Sequence, residues 1–444
     1  MGRKHKELAK NTAILMVGKI CTQFITFFML PLYMAILQPS EFGIVDLFNT
    51  YVLLLLPIVN FQYDLGLFRF MPDIRGNHDK QIALFSSVMV ANFAQCTAYL
   101  LLFAFIQPFI HSPYKSFLAV SVVVSVFLNT MMQFARGRGH NGNYAICSII
   151  SALSIVVLNV LLIVVIRLGA AGLFISIVTG NFIALLYLFA SERAWEFFKI
   201  SFFNKKLLRE INHYSSPLVA ANLSWWVLSF SNRSIISMFI GIAANGIYAV
   251  ASKFSGVIIA LYSVFNMAWT ESVAVHIQDH DRELFISEAI NSAFNLFAAI
   301  CILVISSMAL LFPFIIDEKF NPAYQQIPIL MIAVLFQVVC GLYSVIYLAF
   351  MATKENAKTA FFATVINLIT SFVLIQFLGL YAASISTLLA YAAMAFYRYF
   401  DTRKYFTVKL RKTNLFYASA VGVLAVLVYY YNHIPLCQDR CRLN

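Results

Sequence analysis

The stretch VLSFSNRSIISMFI, Val227 to Ile240, has the composition of a membrane-spanning helix except for Arg233, in the outer third of the run it belongs to. A guanidinium at the centre of a span costs about 2.5–3.5 kcal/mol on insertion scales unless it faces water or a partner. Two further cations stand within apolar runs: Lys19, about eight residues or roughly 12 Å into the first run, and Lys253, near mid-depth in the eighth. Around each, polar or small residues recur at intervals of three and four, the spacing that defines one helical face. The faces are Thr12, Lys19, Thr22 and Thr26; Asp46, Asn49, Thr50, Pro57, Asn60 and Asp64; Asn222, Trp226, Ser229 and Arg233; and Gly246, Ala249, Lys253, Gly256, Ala260 and Ser263. Four faces unsuited to lipid are most simply turned together around a watered cavity. Two other readings stand beside this one: Lys19 and Arg233 could snorkel to the nearer surface, and Gly246, Gly256 and Ala260 are ordinary helix-packing residues.

The sign of the charge limits the chemistry. No Asp or Glu occurs from Lys80 through Ser191, and Glu41, Asp46, Asp64 and Glu271 all lie near the ends of apolar runs. A cation extruder or carboxylate proton relay needs acids deep in the bundle. A site of Lys and Arg in a low-dielectric cleft instead suits an anion, with Arg able to grip phosphate through two parallel bonds. The candidate binding residues are therefore Lys19, Arg233, Lys253, Asn222, Asn49 and Asn60.

The elements that must position them follow from composition. Of 444 residues, 61% are hydrophobic and 11% charged, against about 25% charged in soluble chains. A span needs roughly 20 apolar residues, and about thirteen runs qualify: 11–36, 43–63, 82–106, 114–134, 143–166, 168–190, 216–240, 243–269, 289–316, 327–351, 358–378, 379–399 and 415–432. They are too long and unalternating for barrel strands. With the N-terminus cytoplasmic, most of the Lys and Arg outside the apolar runs fall in inside loops, and Lys115, Arg167, Lys319, Arg440 and Arg442 lie outside. The net charge of +12 is thus loop charge facing anionic lipid, and nucleic acid is not an expected partner.

The segment Ser191 to Ser216 mixes apolar and charged residues at helical spacing and is expected to form an amphipathic helix on the cytoplasmic face. It divides the chain into a six-helix lobe over 1–190, a linker over 191–215, a second six-helix lobe over 216–400, and a basic loop, extra hydrophobic helix and polar tail over 401–444. A shift of 203 positions places Gly43-Ile44 on Gly246-Ile247 and Thr12 on Ser215. The expected fold is therefore an all-helical membrane protein, a polytopic bundle of about 12–14 transmembrane helices in two parallel six-helix repeats around a central cavity.

QPSEFGIVDLFNTYVLLLLPIVNFQYDLGLFRF, Gln38 to Phe70, has an acidic-aromatic-Gly turn opening the second helix and a Leu-Gly-Leu segment with a nearby Arg closing it. NGIYAVASKFSGVIIALYSVFNMAWTES, Asn245 to Ser272, is its second-repeat counterpart. Together they resemble the bacterial oligosaccharide flippases, the O-antigen and capsule repeat-unit translocases of the multidrug, oligosaccharidyl-lipid and polysaccharide exporter superfamily. The resemblance implies a two-lobed transporter in the bacterial inner membrane that carries an undecaprenyl-pyrophosphate-linked glycan to the outer leaflet by alternating access. It also implies a cationic lumen and, as partners, membrane lipids, a polysaccharide polymerase and a chain-length regulator. Asp46 and Glu271 are the acids to test for ion coupling. Family members commonly have twelve or fourteen spans, so a thirteenth is a departure.

Two rivals remain at this point. One is a drug or cation antiporter of the same superfamily; the other is a polysaccharide polymerase or membrane acyltransferase, which would be expected to show a large outer loop or a His/Asp pair. Every outside loop is short, and the acidic-His cluster Asp279 to Glu283 reads as a solvated cytoplasmic turn; no cofactor or metal is expected. GRGHNG, Gly137 to Gly142, fits a dinucleotide pattern but sits between two apolar runs with no strand before it. The histidines fall in loops or termini without metal spacing.

Overall fold

The computed structural model describes residues 27–276, 280–350, 352–405 and 408–441, so Lys19 and most of the first run lie outside the described residues. Among those described, α1 spans Leu30–Ile36, α2 Pro39–Val59, α3 Tyr63–Phe70, α4 His78–Ile106, α5 Lys115–Arg138, α6 Asn141–Asn159, α7 Ala170–Ser191 and α8 Ala194–Phe197. There follow α9 Lys205–Phe239, α10 Ile242–His276, α11 Arg282–Ile315, α12 Pro322–Ala349, α13 Thr353–Leu378, α14 Tyr381–Asp401 and α15 Lys412–Cys441. Every apolar run from the second onward is occupied by a helix. Ten of these helices are long and apolar enough to cross a membrane; α9 and α14 have spanning length as well, with polar groups along their faces. The chain is an all-helical, multi-pass membrane protein.

Local chemistry accounts for the helix ends. At α2, Pro39 occupies the first turn, where its missing N–H is no loss, and the Glu41 carboxylate accepts the Gln38 backbone N–H at 2.9 Å. At α5, Gly139 takes a left-handed φ of 93° and its N–H closes on the Arg136 carbonyl. At α9, the Asn204 side chain accepts the N–H groups of Lys206 and Leu207 at 3.0 and 3.2 Å.

The region after α7 differs from the amphipathic helix expected over Ser191 to Ser216. It folds as the single turn α8, a short 3-10 turn at Ile200–Phe202, and then the first three turns of α9. Between Lys205 and Phe239 the only helix breaker is Pro217, and the helix runs through it for 35 residues, about 50 Å. A hydrocarbon layer needs only about 30 Å, so the basic start of α9 extends beyond it. The irregular stretch is pinned by α4: Ser86 Oγ donates to the Phe197 carbonyl at 3.0 Å and accepts the Lys199 N–H at 2.9 Å, while Ser87 accepts the Asn204 N–H.

The helices form two compact units. One holds Ile44–Trp226; the other holds Leu30–Gly43 with the chain from Val227 on. The first unit packs Phe85 against Phe134 with ring centroids 4.2 Å apart, and adds Leu67, Met71, Val88, Met131 and Ile211. The second packs Leu228, Cys340, Ala363, Ala390 and Tyr391. The boundaries sit inside α2 and α9 rather than in the 191–215 segment, because that segment is fastened to α4.

In the first unit Glu192 is 1% exposed. Arg138 meets it at 2.8 Å, His140 Nδ1 at 2.8 Å and Asn143 Nδ2 at 2.7 Å. This ties the end of α7 to the α5–α6 turn, and the Arg138 guanidinium also lies 4.4 Å from the Phe197 ring centre. Breaking a buried pair from one side leaves an uncompensated charge, so Glu192→Ala is expected to destabilise the protein by about 3 kcal/mol. A drop in the thermal unfolding midpoint in detergent, partly recovered when the Arg138 charge is removed as well, is the readout.

Candidate functional site

In the second unit the α9–α10 connection carries the candidate cations. Gly241, at φ 122°, allows the chain to leave α9 and enter α10 through only two residues, Ile240 and Gly241. Helical side chains lean toward the N-terminus of their own helix. On α9 that is the basic end, so Arg233 leans away from Gly241; on α10 it is the Gly241 end, so Lys253 leans back. Arg233 Nη2 donates to Ser252 Oγ at 3.2 Å, and its guanidinium stands 5.1 Å from the Phe230 ring centre and 5.8 Å from that of Tyr248. Ser252 lies about 15 Å along α10 from its start, so the guanidinium is drawn into the bundle rather than up to the near surface. Arg233 and Lys253 both stay half-buried, and each takes part in further interactions.

Near the same turn, α2 and α10 meet backbone to backbone. The Asn245 side chain donates to the Gly43 carbonyl at 2.9 Å. A methyl group on Gly43 would overlap the Ile242 carbonyl oxygen, and one on Gly246 the Pro39 carbonyl oxygen. These are the two glycines that the 203-residue shift superposes, and they are in direct contact.

In the first unit the polar face of α2 ends in a break. Phe61 and Gln62 both take left-handed backbone angles, φ 52° and 56°. Asn60, fully buried, accepts the Gln62 N–H at 2.8 Å and donates to Asp64 Oδ1 at 3.0 Å. Ser215 Oγ on α9 donates to the Gln62 carbonyl at 3.0 Å, Asn222 Nδ2 to Gln62 Oε1 at 3.2 Å, and Trp226 Nε1 to the Thr50 carbonyl at 2.8 Å. The predicted stripes on α2 and α9 thus meet, with Asn60 and Asn222 as its structural ties. Asn49 and Asp46 are half-buried higher on α2. Glu271 lies on α10, with its side chain outside the described residues, as is all of Lys19.

Two polar centres escaped the sequence reading. Gln62 carried no motif. Arg398, expected among the loop cations, is 4% exposed and donates to the Cys340 carbonyl at 2.6 Å, Asn356 Oδ1 at 2.7 Å and Thr359 Oγ1 at 2.9 Å. It laces α12, α13 and α14 together through neutral oxygens. No group of three or more metal-ligating side chains occurs among the described residues.

The family model described as polysaccharide biosynthesis protein matches residues 8–270, more than half of the chain. The chain belongs to that family. A comparison with curated proteins returns no match. Solved structures share the fold of this polysaccharide biosynthesis protein. An inward-facing multidrug resistance MATE family transporter of the MOP superfamily aligns with TM-score 0.71 at 14% identity, over 92% of this chain and 98% of that one. The lipid II flippase MurJ in an inward closed conformation aligns with TM-score 0.64 at 13% identity, over 97% and 92%. A mutant of the Vibrio cholerae MATE transporter VcmN aligns with TM-score 0.60 at 13% identity, over 90% and 96%. For this family member the likeness establishes the fold, and the site must be argued from its own residues.

Proposed function

We propose that this polysaccharide biosynthesis protein is a flippase that moves undecaprenyl-pyrophosphate-linked oligosaccharide repeat units across the bacterial inner membrane, N-terminus in the cytoplasm, for O-antigen, capsule or another surface polysaccharide. The observation that carries this reading is Arg233 held half-buried on Ser252 of α10, with Lys253 the next residue along that helix. A pyrophosphate needs charge-assisted donors, and Arg supplies a planar pair of them while Lys supplies a mobile point charge. The Phe230 and Tyr248 rings hold the guanidinium in place. Lys19, Asn49 and Asn222 complete the proposed set, and the sugar head occupies a hydrated chamber exposed to each side in turn while the prenyl tail stays in lipid.

The experiment is reconstitution into vesicles of bacterial phospholipid with a fluorescent pyrophosphate-linked glycan, scored by quenching of outer-leaflet label. Catalysed exchange well above that of empty vesicles is expected, with no accumulation of a cationic dye under an imposed pH gradient. Dye transport without glycan movement would reassign the protein as a cation antiporter.

A further inference from the structure

The break between α2 and α3 holds a feature that the proposed substrate site does not use. Asp64 begins α3, beyond the α2 span, and is 6% exposed. Its polar neighbours are the Asn60 amide and the backbone N–H groups of its own residue and Leu65. Burial outweighs these donors and raises its carboxyl from the ordinary 3.8 to about 6. The charged groups on the elements packed around it are engaged or turned away. Arg69 pairs with Asp73 at 2.9 Å. Arg136 lies over Phe68 and bonds Gln133, and Arg75 donates to the Gly137 carbonyl. On α9 His213 is exposed and Tyr63 reaches Asn212; on α4 Asp79 and Lys80 are exposed at the first turn. Among the described residues, then, a carboxyl group is enclosed at a helix break with no cation set against it.

The bonds from this carboxyl lead somewhere specific. Asn60 holds Asp64 with its amide and Gln62 with its carbonyl, and Gln62 is held by Ser215 and Asn222 of α9. We propose that Asp64 is a proton-binding site of the transport cycle, taking a proton at the break and passing the change to α9 through Asn60 and Gln62. The step is a simple transfer: hydronium gives its proton to a carboxylate oxygen, one O–H bond forms, and water is released. Neutralising the carboxylate turns the charge-assisted bond from Asn60 into a neutral one of about half the strength. The backbone donors at the start of α3 weaken in the same way. The left-handed Phe61–Gln62 pair is costly unless its surroundings hold it, so loosening Asn60 acts where the fold is most ready to give. This proposal rests on the transport reading above for its role in a cycle, while proton binding itself does not.

Two measurements on the full chain in lipid vesicles decide the matter. Infrared difference spectra between pH 7 and pH 5 are expected to show a protonated-carboxyl stretch with a midpoint near pH 6 that disappears in Asp64→Asn. The substitution is isosteric and keeps the acceptor for Asn60; Asp64→Glu, which should keep the band with a moved midpoint, guards against a fold effect. A band that persists in Asp64→Asn, or none in the wild type, overturns the site. In the second measurement a pH gradient should change glycan flux about fivefold or more in the wild type and leave Asp64→Asn unresponsive. A full gradient response in Asp64→Asn, or none in the wild type, overturns the coupling. If the band titrates but no variant moves glycan at any pH, the proton site stands and the flippase reading falls.

Discussion

With Arg233 and Lys253 both replaced by alanine, movement of a pyrophosphate-linked glycan is expected to slow about a hundredfold while the protein still reaches the membrane. Each charged hydrogen bond to the headgroup contributes about 1.5–3 kcal/mol, so losing two removes about 3 kcal/mol at the low end of that range, the hundredfold, from whichever state grips the pyrophosphate. The single variants are expected to fall between, with effects that do not add, because Arg233 is held by Ser252, the residue next to Lys253 on α10. Arg233→Lys should recover only part of the loss: the charge returns, but the planar fork and its seat between Phe230 and Tyr248 do not. Flux in reconstituted vesicles, normalised to protein in the bilayer, is the measurement. Wild-type rates in the double variant would remove these residues from the mechanism.

Gly246→Val is expected to be the most damaging single change near this site. The added carbon collides with the Pro39 carbonyl oxygen, which is backbone and cannot rotate aside as a side chain would. Either α10 moves off α2 or the start of α2 unwinds, and in both cases the Asn245 bond to Gly43 is lost. Overpacking of this kind costs about 3 kcal/mol or more. Gly422 supplies the control: nothing lies within 4 Å of a methyl placed there, and replacing a helical glycine by alanine favours the helix by up to about 1 kcal/mol. Thermal unfolding in detergent should therefore show Gly246→Val well below the wild type and Gly422→Ala at or slightly above it.

The helices were readable because the physics behind them is blunt. A span must satisfy its backbone internally and cover hydrocarbon for about 30 Å, so apolar length alone locates it. The charged residues at span ends were harder. Arg398 follows an apolar run and precedes Arg403 and Lys404, so it looked like one more basic loop residue, yet α12 and α13 close over it with three neutral oxygens. Glu192 likewise reads as the first solvated residue after a span, and only the fold shows Arg138, His140 and Asn143 brought to it. The break at Phe61 and Gln62 was hidden because neither residue is glycine. Its trace was the pair Asn60 and Asp64, four apart, which the stripe on α2 included without revealing that the helix stops between them. Of the candidate site, the residue types and faces were visible; which of them serve as ligands and which as bolts was not.

The continuity of α9 across Trp226 and Val227 has a mechanical meaning. A continuous hydrogen-bonded rod of this length delivers torque from end to end. Its one compliant point is Pro217, where the ladder lacks a rung. Ser215 and Asn222 stand on either side of that joint, so the grip on Gln62 straddles the place where the rod can flex.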